Sequence, residues 1–106
     1  ALKLSQKNSE KHLEGASWTW LGRILGKTDL SQNDKAEECI VKGIKILEEM
    51  GIKPWCSEGY LYLGKLYAGI GKREKALQNL KKAEGMFQEM GMNYWLARTK
   101  EVMRRL

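Results

Sequence analysis

Residues 22–28 read Gly-Arg-Ile-Leu-Gly-Lys-Thr, and the closing Gly-Lys-Thr invites a phosphate-loop reading. In such a loop two glycines set four residues apart let backbone N–H groups cradle a phosphate, while the lysine neutralises it. Gly22 and Gly26 enclose only three residues. The stretch also ends a helical pattern instead of joining a strand to a helix, so the nucleotide-binding geometry is missing. His12 is the sole histidine. It has no serine–aspartate or cysteine partner with which a nucleophilic set could be argued. Cys39 and Cys56 lack CxxC spacing and a neighbouring histidine, and read as small buried apolar residues. The carboxylates alternate with lysines at helical spacing, the pattern of a solvated face. No convergent polar set remains. The chain therefore reads as a non-enzyme with no catalytic residues, no metal ligands and no cofactor.

Composition bounds what else it can be. One hundred and six residues make one compact domain at most. Apolar content of 42% and charged content of 30% are ordinary for a soluble globular chain. The net charge of +6 is mixed, with Glu37, Glu38, Glu48 and Glu49 crowding one segment and lysines others. A nucleic-acid surface is conceivable on charge alone, but no helix-turn-helix spacing and no basic–aromatic interleaving support it. No apolar run approaches a membrane span, and no signal peptide is visible. Two thiols without a disulfide framework fit a reducing cytoplasm.

The elements that position these residues are helical. Apolar residues recur at helical spacing over about 11–26, 32–50, 54–69, 73–90 and 93 to the C-terminus, and residues 1–8 read as a short helix before them. Trp18, Leu21, Gly22 and Leu25 form one stripe, with Trp20 and Ile24 beside it. Ala36, Ile40, Gly43, Leu47 and Met50 form another, and Ala76, Leu80, Ala83, Phe87 and Met90 repeat it. Ser31 and Asn93 are placed to cap, and Pro54 suits a first helical turn. Gly51, Gly71 and Gly91 fall between segments, where a positive φ is useful. Gly22, Gly43, Gly64 and Gly85 fall inside them, where a missing side chain permits close contact.

The chain also repeats itself. Glu49-Met50-Gly51 followed by Trp55 returns forty residues later as Glu89-Met90-Gly91 followed by Trp95, and Leu21-Gly22 returns as Leu63-Gly64. A period of this size marks units that bury their apolar faces only by stacking on copies. Set 42 residues apart, Ile44 lies over Leu2, Ile46 over Leu4 and Tyr60 over Trp18. The expected division is one domain over 1–106: a remnant of a preceding repeat over 1–10, one repeat over 11–52, a second over 53–92, and a capping helix over 93–106. The chain thus reads as the C-terminal end of a longer protein.

Tyr60, Leu63, Gly64, Tyr67, Gly71, Ala76, Leu80 and Ala83 resemble the tetratricopeptide repeat at its family spacing, and Trp18, Leu21, Gly22, Ala36, Ile40 and Gly43 do so with Leu25 where tyrosine is usual. The repeats are longer than the family's usual length, and are similar to long bacterial repeats that join domains of large signalling proteins. The resemblance implies an all-α fold, a right-handed superhelical stack of antiparallel helix pairs, in short an α-solenoid. It implies a scaffold that holds a protein or peptide partner along the first helices of the repeats, as part of a larger signalling or regulatory protein. Carried over residue by residue, that groove comprises Thr19, Trp20 and Arg23 on one wall, Leu61, Tyr62 and Lys65 on a second, and Arg98, Val102 and Arg105 on a third. These walls are basic with apolar interruptions, partly offset by Glu58 and Glu101, so an acidic peptide with an aromatic or aliphatic anchor is the expected occupant. The alternative is a self-association module: an apolar stripe left open at the N-terminal end would make a homodimer.

Overall fold

A computed structural model of the protein describes residues 13–25 and 33–106. The expected remnant over 1–10, His12, the Gly26–Thr28 stretch and the Ser31 cap lie outside these residues. Among the described residues the chain is all helix, with no strand. Helix α1 is seen over 13–25. It is followed by α2 (Asn33–Met50), α3 (Lys53–Gly69), α4 (Arg73–Met90) and α5 (Asn93–Arg104). Each of α2, α3 and α4 packs against the next helix, and α5 also touches α3.

Three short turns closed by the same pair of bonds join the last four helices, two residues long after α2 and α4 and three after α3. Gly51, Gly71 and Gly91 have φ of +71°, +80° and +68°, a region closed to most side chains. Each turn closes the same way. Gly51 N–H donates to Glu48 O and Ile52 N–H to Leu47 O; Gly71 and Lys72 repeat this with Ala68 and Tyr67, and Gly91 and Met92 with Gln88 and Phe87. These paired bonds satisfy carbonyls that a helix end would leave orphaned. The residue after each glycine is then the N-cap of the next helix, namely Ile52, Lys72 and Met92, and none caps with its side chain. Asn93 is therefore not a cap: it is already helical, because the glycine turn is so short that Met92 takes the flanking position. Pro54 stands in the first turn of α3 as its missing N–H requires.

The core follows the stripes. Ala36, Ile40, Gly43 and Leu47 of α2 are buried, as are Ala76, Leu80, Ala83 and Phe87 of α4. Between them α3 is buried on nearly every side, from Cys56 and Ser57 to Leu66 and Tyr67, as an inner helix must be. Glycines set the closest approaches. A Cβ on Gly22 would stand 2.5 Å from Ile40 Cγ1 and 2.7 Å from Ala36 O, and one on Gly64 would stand 2.6 Å from Leu80 Cγ and 3.3 Å from Ala76 O. The contact is the same in both places, between matching residues. Gly43 lets α1 in as closely, its would-be Cβ lying 2.6 Å from Gly15 O. Gly85 departs from the expectation: nothing lies within 4 Å of a Cβ there, since it sits on the outer side of α4.

The seam of α1 also differs from its expected stripe. Gly15, Ala16, Thr19 and Gly22 are buried, Trp18 and Leu25 are half-buried, and Leu21 is 45% exposed. Small residues carry this contact, and the bulky ones stand at its edges. Buried hydroxyls at the crossings donate back to their own helix: Thr19 to Ala16 O at 2.8 Å, Ser57 to Lys53 O at 2.7 Å, Thr99 to Trp95 O at 2.8 Å. They are thereby satisfied without a partner on the facing helix.

Candidate partner-binding surface

The nine candidate residues come from α1, α3 and α5, and the structure divides them. Thr19 and Leu61 are 2% and 0% exposed. They lie behind the surface and set the helix spacing, because their helix positions turn into the seam with the neighbouring helix; no partner can reach them. Trp20, Arg23, Lys65, Arg98, Val102 and Arg105 reach solvent in whole or part. Tyr62 is 5% exposed, a floor more than a wall.

Two local clusters join these walls. Between α1 and α3, Trp20 stands against Trp55, ring centroids 5.8 Å apart and tilted by 57°. One turn on, the Arg23 guanidinium lies 4.8 Å from the Tyr62 ring centroid. Tyr62 donates to Glu58 Oε1 at 3.2 Å. Burial, and then the Glu58 charge, push the Tyr62 phenol up to about 12. Burial also raises the Glu58 carboxyl, against the pull of Tyr62 and Arg23. Arg23 Nε is buried with no hydrogen-bond acceptor. The cation is thus held by a ring face on one side.

Between α3 and α5 the second cluster forms a pocket of about 300 Å³ lined by Lys65, Arg98, Glu101, Val102 and Arg105. Four of the expected residues therefore meet in one depression, three of them cationic. Its internal pairing is partial. Arg105 holds Glu101 at 2.9 Å, an exposed pair of small net worth. Arg98 donates to the Tyr94 hydroxyl at 3.1 Å. Its lining thus holds three cationic residues and one carboxylate, and Val102 is its apolar side chain. Tyr94 is the member that residue typing missed; its i, i+4 spacing to Arg98 was the available signal. The pairing of Trp55 with Trp20 depends on how α1 meets α3, which spacing along the chain does not give.

Elsewhere the charged residues do structural work. Tyr60 donates to Glu48, whose carboxylate lies 4.0 Å from Lys82 Nζ. The Lys82 ammonium stands 4.6 Å from the Tyr60 ring centroid, and Lys42 stands 4.2 Å from that of Trp18. These are matching residues again. Cys39 and Cys56 are free and buried. Among the described residues no three metal-ligating side chains converge, and no helix is long and apolar enough to cross a membrane. No family model, no curated protein and no solved structure matches the chain.

Proposed function

We propose that this is a tetratricopeptide-like scaffold that holds an acidic protein segment along the α1–α3–α5 surface. What supports a repeating architecture is the recurrence of contacts, not only of letters: Gly22 on Ile40 as Gly64 on Leu80, and Lys42 on Trp18 as Lys82 on Tyr60. Helix pairs that recur in this way extend into an α-solenoid, with the first helix of each pair on one side. The observation that carries the binding reading is the pocket of Lys65, Arg98 and Arg105 around Val102. A carboxylate entering there meets two guanidinium groups, which bind it in a fixed fork. The exposed part of Trp20, backed by Trp55, offers an apolar anchor site further along. In this reading the protein turns over nothing. Its free buried thiols suit the cytoplasm.

Fluorescence anisotropy with a labelled acidic peptide bearing one tryptophan, and with its lysine-for-glutamate counterpart, tests this. The acidic peptide binds more tightly, and its advantage shrinks as salt rises. Arg98→Glu weakens it about tenfold, ~1.4 kcal/mol. Equal binding of the two peptides, or none, sinks the proposal.

A further inference from the structure

The two arginines of the α3–α5 pocket are engaged differently. Arg98 and Arg105 stand two turns apart on one side of α5, with Glu101 between them. Both line the same depression as the half-buried Lys65. Arg105 already holds a carboxylate, Glu101 Oε1, at 2.9 Å. Arg98 instead donates to a neutral acceptor, the Tyr94 hydroxyl, at 3.1 Å. That difference decides which anion gains most by entering. A carboxylate has two oxygens and fills one guanidinium fork. On Arg98 it replaces a neutral acceptor, but on Arg105 it only exchanges with Glu101, like for like. A phosphomonoester carries about −1.5 to −2 charge at neutral pH and three acceptor oxygens. It can fill the Arg98 fork and draw Arg105 from Glu101 at the same time, because its charge exceeds that of the carboxylate it displaces.

We propose that the pocket takes a phosphorylated side chain of the partner segment, gripped by the guanidinium groups of Arg98 and Arg105 together. This proposal rests on the reading of the α1–α3–α5 surface as the seat of an acidic segment, and it names the acidic group. A phosphorylated chain fits better than a free ion or a lipid headgroup, because the pocket does not stand alone. Tyr62 precedes Lys65 by three residues and so lies on the same side of α3. The Arg23 guanidinium stands 4.8 Å from its ring centroid. The Trp20–Trp55 pair follows at the start of the same helix. These features form a row that a chain can follow and a lone ion cannot. From Trp55 to Lys65 is about 15 Å of helix, the reach of about four or five extended residues. The partner segment therefore carries an aromatic residue at about that distance from the phosphate.

The probes are three labelled peptides, each with one tryptophan about five residues from the tested group, followed by anisotropy with the full protein. The group is a phosphoserine, a glutamate, or a pair of adjacent glutamates that matches the phosphate in charge. The phosphopeptide binds at least tenfold more tightly than either of the others. Glu101→Gln combined with Arg105→Gln leaves the net charge of the pocket unchanged and removes the second fork. This double variant erases most of the phosphopeptide's advantage and leaves the single-glutamate peptide's affinity nearly as it was, with far-UV circular dichroism unchanged. Equal affinity for the phosphopeptide and the glutamate-pair peptide, or an advantage that survives in the double variant, overturns the proposal while the acidic-segment reading stands. Failure of all three peptides to bind overturns both. Displacement of the phosphopeptide by an equal concentration of inorganic phosphate, or by vesicles of phosphatidate in phosphatidylcholine, also overturns the proposal, because the pocket then serves the ion or a lipid headgroup.

Discussion

Helices α1 and α3 start from similar sequences and meet different fates. Leu-Gly stands in each, an aromatic residue precedes it by three positions, and each glycine receives an aliphatic side chain of the following helix. On that side they are alike. On the other they part: α3 has α2 over Leu63, and on α1 the matching Leu21 is 45% exposed. Burial in such a protein belongs to the pair of neighbours and not to the helix. A residue's own type says that it can be covered, and the adjacent helix decides whether it is.

The strongest way to break the comparison is to truncate the matching leucines. Leu63 is 5% exposed, so Leu63→Ala removes its transfer energy and leaves a cavity among Tyr60, Ile44 and their neighbours, at a cost of about 2–5 kcal/mol. Leu21→Ala removes a side chain already half in water and costs ~0.5 kcal/mol or less. Denaturant unfolding of the two variants measures both. Equal losses would mean that the face of α1 is covered in solution.

The glycines reverse the ranking. Gly22→Ala places a Cβ 2.7 Å from a backbone carbonyl, Ala36 O, and 3.0 Å from Ile40 N. Backbone cannot step aside as a side chain can. At Gly64 the near atoms are Leu80 Cγ and Cδ2, with Ala76 O at 3.3 Å. Gly22→Ala is therefore the costlier change, about 1–3 kcal/mol net of the helix propensity that alanine gains, and Gly64→Ala costs about 1 kcal/mol less. The more exposed helix is the more tightly locked one at its seam. Thermal unfolding of the two alanine variants reads this directly, and the opposite order would show that α1 yields where α3 does not.

How much of this was legible beforehand follows from the same distinction. Helix extents, the glycine turns and the stripes of α2 and α4 could be read from spacing, because they depend on each segment's own periodicity and on the φ that only glycine adopts freely. The resemblance puts Lys65 on one wall of the expected groove and Arg98, Val102 and Arg105 on the next, and the structure brings these four to one pocket. Three other features could not be read. Thr19 and Leu61 sit behind the surface because α1 crosses α2, and α3 its own neighbours, at a rotation that no single helix records. Leu21 is exposed because no helix among the described residues covers it as α2 covers Leu63. Asn93 loses its cap role because a two-residue turn left no room for one. Each depends on relative placement, which periodicity does not encode.

The smallest expected effect separates the two helices by chemistry. Cys56 of α3 corresponds to exposed Glu14 of α1, so only the inner helix carries a thiol at this place. Burial, and then the nearby Glu48 carboxylate, push that thiol up from 9.0 to about 11. The folded state thus keeps a proton that the unfolded state gives up first. The stability this contributes is whole below pH 9.0 and is lost as pH rises to about 11. Tyr62, raised from 10.0 to about 12 by burial, extends the decline in the same direction. Unfolding free energy should therefore fall steadily through the alkaline range, and Cys56→Ala should flatten the early part of that slope while leaving the part due to Tyr62. Iodoacetamide adds an independent reading: because the thiolate is the nucleophile, Cys56 should label in the folded protein far more slowly than in denaturant. A Cys56 that labels as fast when folded as when unfolded would show the start of α3 to be open, and would bring the inner helix closer to the outer one than its burial implies.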